Sequence, residues 1–207
     1  MSHTRPNEAS QGIDQKISRL SFWSAATATI ALIFSGITAT TALKIPALIS
    51  GMLLIPAFII LMACIHDFAP RETKIYSRIG LLFAVGYSVL IGFNYYMQLT
   101  MADRSIYSAS FNMKDPNSTM WVIEVLGYGF MGLSTLAAAW VFRSGILEKL
   151  VRWLFVVNGM LGLGGMIGYA LHWNMKVLLG GLILWDIIMP LSTILLAVLF
   201  RKRQHRG

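Results

Sequence analysis

Charge is scarce in this chain. Only 13% of its 207 residues are Asp, Glu, Lys or Arg, about half the ~25% of an ordinary soluble domain. A surface so poor in charge is not built to face water. Cysteine is scarcer still: Cys64 stands alone, so no intrachain disulfide forms, and it reads as a small packing residue near the end of an apolar stretch. No H-E-x-x-H, G-x-S-x-G or P-loop occurs, and no Cys/His set has metal-ligand spacing, so the sequence calls for no metal and no cofactor. Lys and Arg are missing from the long apolar stretches. That argues against a retinal-type Schiff-base pocket and against the arginine ladder of a voltage sensor.

What the chain does have is hydrocarbon. Hydrophobic residues make up 56% of it, gathered in six stretches at 20–43, 45–65, 79–99, 120–142, 153–171 and 177–200. Each is close to the ~20 residues that cross a bilayer core. None alternates with period two, so these are helices and not barrel strands. The expected fold is all-α: a polytopic bundle of six transmembrane helices over 20–200, between a mobile tail at 1–19 and a basic tail at 201–207. The first stretch is longer than the ~7–15-residue apolar core of a signal peptide and reads as a span.

The basic residues set the orientation. The net charge is +8, but the cations flank apolar spans and form no stripe, so nucleic acid is not the expected partner; the bilayer is. The two tails and the loops after spans 2 and 4 hold thirteen of the 17 Lys and Arg, Arg71, Lys74, Arg143 and Arg201 among them. The opposite side holds Lys44, Arg104, Lys114 and Lys176. By the positive-inside rule both termini are expected in the cytoplasm.

Inside the spans there are two carboxylates, Glu124 and Asp186. An ionisable group in hydrocarbon costs several kcal/mol and marks a candidate functional site. At 1.5 Å per residue, Glu124 lies ~6 Å below the start of span 4 and Asp186 ~14 Å into span 6, near the midplane. Pro190 follows Asp186 by four residues and cannot donate to its carbonyl, which predicts a kink. Helical spacing gathers further polar residues. Glu124, Tyr128, Met131 and Thr135 share one face of span 4; Tyr87, Ile91, Asn94 and Gln98 one face of span 3; Asn158, Gly162, Gly165 and Tyr169 one face of span 5. If these stripes face one another, they form a polar pocket opening to the external side. The candidate ligand- or proton-binding residues are therefore Asp186, Glu124, Asn94, Gln98, Tyr87, Tyr128, Asn158, Tyr169 and Trp185.

Blander readings stand beside these. For Asp186 the alternative is packing: a protonated carboxyl hydrogen-bonded to a neighbouring span holds helices together without any ligand. Trp23, Tyr95, Tyr96, Trp121, Trp153 and Trp173 fall near span ends and fit an interfacial belt. His172, beside the external cluster, fits an interfacial role. Residues 127–132 (GYGFMG) match G-x-G-x-x-G but lie inside a span with no preceding strand, so the match is false. Those glycines, with Gly164 and Gly168 at GxxxG spacing, suit close helix packing, and glycine-rich span 5 leaves a homo-oligomer open. The loop at 100–119, with Tyr107 and Phe111, reads as a surface loop sooner than a lid.

Residues 94–100 (NYYMQLT), followed by 124–139 (EVLGYGFMGLSTLAAA), resemble small uncharacterised prokaryotic membrane proteins of unknown function. The likeness covers spans 3 to 5. It implies a prokaryotic inner-membrane setting and brings no activity with it. The expectation that best fits the residues is transport or binding of a small cationic or amphipathic molecule, proton-coupled through an acid. The alternatives are an assembly partner without a ligand, and an enzyme that modifies a lipid or isoprenoid with two carboxyls as acid and base.

Overall fold

A computed structural model describes residues 6–40, 43–101, 110 and 115–204, with side chains described at 15–38, 43–101, 110 and 115–203. Six helices follow one another: α1 Pro6–Thr40, α2 Lys44–Phe68, α3 Lys74–Met101, α4 Thr119–Ala138, α5 Gly145–Ala170 and α6 Met175–Gln204. All six are long and apolar enough to cross a membrane, and no strand occurs among the described residues. The chain is a six-helix transmembrane bundle.

The helices outrun the apolar stretches. α1 already begins at Pro6, so 6–19 is helical where a tail without secondary structure was expected. α3 starts at Lys74 and α5 at Gly145, five and eight residues before the stretches they contain. Hydrophobicity marks the thickness of the hydrocarbon, whereas backbone pairing carries a helix on into polar turns. Proline and backbone caps set several ends. Ala69, just before Pro70, is extended (φ −65°, ψ 131°) and stops α2, as crowding by the proline ring requires. α5 ends with His172 in the left-handed region (φ 55°), and the Trp173 amide donates back to the Gly168 carbonyl at 2.8 Å, a helix-ending turn usually given to glycine. α6 runs on as a helix through Pro190. Ser192 and Thr193 turn their hydroxyls onto the carbonyls of Ile188 and Pro190 at 2.7 and 2.9 Å.

Each helix packs on the one before and the one after it, and α6 returns to α1, closing a ring. Polar bonds stitch the seams. Thr29 donates to Thr193 between α1 and α6 at 2.7 Å. Ser134 donates to the Gly80 carbonyl between α4 and α3 at 2.7 Å, and Asn158 to Thr135 between α5 and α4 at 2.8 Å. Such bonds hold helices together in lipid, where the hydrophobic effect cannot. Aromatic rings fill the middle. Phe58 of α2 meets Tyr87 of α3 edge-on at 5.4 Å, Tyr87 lies 6.0 Å from Tyr128 of α4, and Tyr128 meets Trp185 of α6 at 4.9 Å.

One acid sits where no candidate was placed. Glu148, in the first turn of α5, is buried. Its carboxylate accepts from the Arg143 and Ser144 amides at 3.0 and 2.8 Å and from the Arg203 guanidinium at 3.1 Å. Arg203 in turn lies 3.7 Å above the Phe68 ring. A carboxylate at a helix start satisfies amides that the helix leaves bare. Glu148→Ala strips these donors together, and hydrogen bonds to a charged group contribute about 1.5–3 kcal/mol each. The variant is expected to melt markedly lower than Glu148→Gln, which keeps an acceptor. Equal melting of the two in a thermal scan would show that the carboxylate holds nothing.

A candidate ligand cavity between α4, α5 and α6

The polar stripes on α3 and α4 do meet. Tyr87, Ile91, Asn94 and Gln98 are all buried on the inner face of α3. Tyr95 donates to Glu124 at 3.1 Å, and the Tyr95 and Tyr128 hydroxyls lie 2.9 Å apart. Tyr95, which by its place near a span end fits the interfacial belt, is instead 5% exposed and points inward. Gly51 on α2 makes the space: a methyl group there would meet the Tyr95 ring at 2.2 Å. Asn94 donates to the Met120 carbonyl at 3.3 Å. Four polar groups beside this cluster have no hydrogen-bond partner among the described residues: the Tyr87 hydroxyl, the Trp185 indole N–H, the Asn94 carbonyl oxygen and the whole Gln98 amide.

The cavity lies next to the stripes and is not made of them. It has a volume of ≈ 290 Å³, at the low end of the ~300–1,000 Å³ of ligand pockets. α4 gives it Glu124 and Tyr128, α5 gives it Met160, Gly164, Gly165 and Tyr169, and α6 gives it Gly181 and Trp185. Trp121 and Trp173 stand at the helix-end side. The walls are mostly apolar, so the expected polar pocket is corrected to a greasy cavity with one carboxylate, Glu124, in its wall. Four of the nine candidates line it: Glu124, Tyr128, Tyr169 and Trp185. Tyr87, Asn94, Gln98 and Asn158 are buried in the bundle away from its walls. The Tyr169 hydroxyl donates to the Pro116 carbonyl at 2.5 Å and ties α5 to the start of α4.

Asp186 is not in the cavity. It is exposed on the outer surface of α6, with exposed Ile183, Leu184 and Ile187 around it. No hydrogen bond or ion pair joins it to any described residue. The reason is rotational. Trp185 turns inward to pack on Tyr128, and the next residue of a helix points ~100° away.

Glycine makes this cavity. At Gly164, Gly165 and Gly181 an added methyl group would meet nothing within 4 Å. The glycines that bring helices together are others. A methyl at Gly132 would lie 3.0 Å from the Gly162 Cα, and one at Gly159 would lie 3.0 Å from the Gly132 carbonyl oxygen. Close packing between α4 and α5 therefore runs through Gly132, one of the glycines expected to serve it, with Gly159 and Gly162, whereas Gly164 has open space beside it. Gly168 instead seats the Trp173 ring, which a methyl group would meet at 2.7 Å. Glu124 accepts from the Tyr95 hydroxyl and is paired with no cation among the described residues, whose one salt bridge is that of Glu148 with Arg203. Tyr107, Phe111, Arg104 and Lys114 lie outside the described residues. No family model matches this chain, and neither a curated protein nor a solved structure matches it.

Proposed function

We propose that the protein binds, and carries across a prokaryotic inner membrane, a small amphipathic molecule with a cationic or hydrogen-bond-donating group. Both termini lie in the cytoplasm in this reading, by the distribution of basic residues. The observation that carries the proposal is the Glu124 carboxylate in the wall of an apolar, aromatic-lined cavity, with no cation paired to it among the described residues. Such a site rewards a ligand that brings its own positive charge. The Tyr128, Trp121 and Trp173 rings favour a cation through their π faces. Glu124 is then also the group at which a proton would exchange with the ligand.

Binding is checked by thermal shift in nanodiscs, with tetraphenylphosphonium as an amphipathic cation and a neutral molecule of similar size. The cation is expected to raise the melting temperature, and Glu124→Gln to weaken its binding at least tenfold, or ~1.4 kcal/mol. Equal binding of both probes by both proteins would sink the reading. A second reading, an assembly partner, is favoured by one observation: Asp186 faces outward at mid-helix with no partner among the described residues.

A further inference from the structure

The cavity has a side as well as an end. On α5, Gly162 and Gly165 line it from the inner face, and Gly164 and Met160 from the outer face. Met160 is 62% exposed. On α6 the lining climbs from buried Trp185 through Gly181 to Val177, which is 60% exposed and lies in the first turn of the helix. The lining therefore passes from the centre of the ring to its outer surface along the seam between two helices. The seam is gapped because glycine stands there: Gly164, Gly165 and Gly181 place no side chain into it. Trp173 and Leu178 pack over Gly168 at one end of the seam, and Glu148 pairs α5 with Arg203 of α6 at the other.

An opening at this height does not face water. Met160 is near the middle of a helix that spans the membrane, Gly145–Ala170, so the seam opens onto hydrocarbon. Glu124 lies five residues into α4, ~7.5 Å from its start at 1.5 Å per residue, the level at which polar headgroups meet acyl chains. The carboxylate and the aromatic rings at the helix ends, with a greasy slot running from them towards mid-depth, have the polarity profile of one lipid molecule.

We propose that the occupant is a membrane lipid with an ammonium headgroup, which enters sideways between α5 and α6, lays one hydrocarbon chain along Gly165 and Gly181, and sets its ammonium against Glu124. This rests on the reading of the cavity as a binding site, and adds the class of ligand and its route. Apolar walls without polar teeth accept any chain of suitable width, so selection falls to the headgroup: an ammonium gains the carboxylate and the Trp121 and Trp173 faces, while an anionic headgroup meets a like charge.

The test uses the full chain with Trp185 as its only tryptophan, the other five (Trp23, Trp121, Trp140, Trp153, Trp173) replaced by Phe, in vesicles of phosphatidylethanolamine brominated at mid-chain. Bromine quenches indole at short range, and Trp185 is only 6% exposed. Strong quenching is expected, reduced at least twofold by Gly165→Leu or Gly181→Leu, whose side chains have open space to fill. Gly164→Leu serves as the second plug, and a melting curve in plain lipid confirms that each variant folds. Quenching unchanged by any plug overturns the lateral route, as does quenching by aqueous acrylamide in its place. If tetraphenylphosphonium still binds through Glu124 while the lipid fails to quench, the site stands and the lipid falls. If the chain enters but phosphatidylglycerol protects the wild-type protein, with Trp121 and Trp173 in place, against thermal unfolding as well as phosphatidylethanolamine does, the headgroup assignment falls and the slot remains.

Discussion

Gly162→Val is expected to cost about 3 kcal/mol or more of stability, while Gly165→Ala, less than one helical turn away, is expected to cost under about 1 kcal/mol. A Cβ at Gly162 lies 2.9 Å from both the Gly132 Cα and the Tyr128 carbonyl oxygen. Both neighbours are backbone, so no side-chain rotation relieves the contact, and valine adds two further methyl groups. The α4–α5 pair must move apart, and the hydrogen bond from Asn158 to Thr135 stretches with it. At Gly165 the added methyl meets nothing within 4 Å, and alanine favours the helix over glycine. Unfolding in mixed micelles measures both. Similar midpoints for the two variants would show that the close crossing at Gly132 and Gly162 is not what holds these helices.

Asp186→Leu is expected to favour insertion of α6 by ~3 kcal/mol, since an aspartate near the centre of a spanning helix costs ~2.5–3.5 kcal/mol and a leucine there is mildly favourable. The expectation follows from the outward direction of the side chain and its lack of a partner among the described residues. Reporter fusions after 204 read how often α6 crosses. Equal insertion of the two sequences would mean that the carboxyl is already satisfied when α6 enters. A detergent-stable oligomer lost in the variant would identify a second chain as what satisfies it, in line with the assembly reading.

The six helices were legible because an apolar run of bilayer length has one economical conformation in lipid. The α3 stripe was legible too: Tyr87, Ile91, Asn94 and Gln98 recur at helical spacing, and all four are buried. What sequence cannot supply is the rotation of each helix against its neighbours. Asp186 shows this most plainly, one residue from inward-facing Trp185 and itself outside. Tyr95 is the converse, an aromatic near a span end that turns in because Gly51 opposite leaves room. Glycine is ambiguous for the same reason. It records a missing side chain, and whether backbone fills the space, as at Gly162, or nothing does, as at Gly165, depends on the partner helix. Glu148 escaped notice because it stands outside the apolar stretch, where an acid is ordinary until a fold buries it.

The ring also has a consequence for assembly in time. Five of its six seams join helices that are neighbours along the chain, so each forms as soon as its second helix enters the membrane. The sixth joins α6 to α1, and its bond between Ser18 and the Phe200 carbonyl spans 182 positions. Because the entropy of closing a loop rises with its length, that seam is the costliest to form from an open chain. The nascent bundle is an arc, its inner face uncovered along one side, until the last helix arrives and α6 comes to rest on α1.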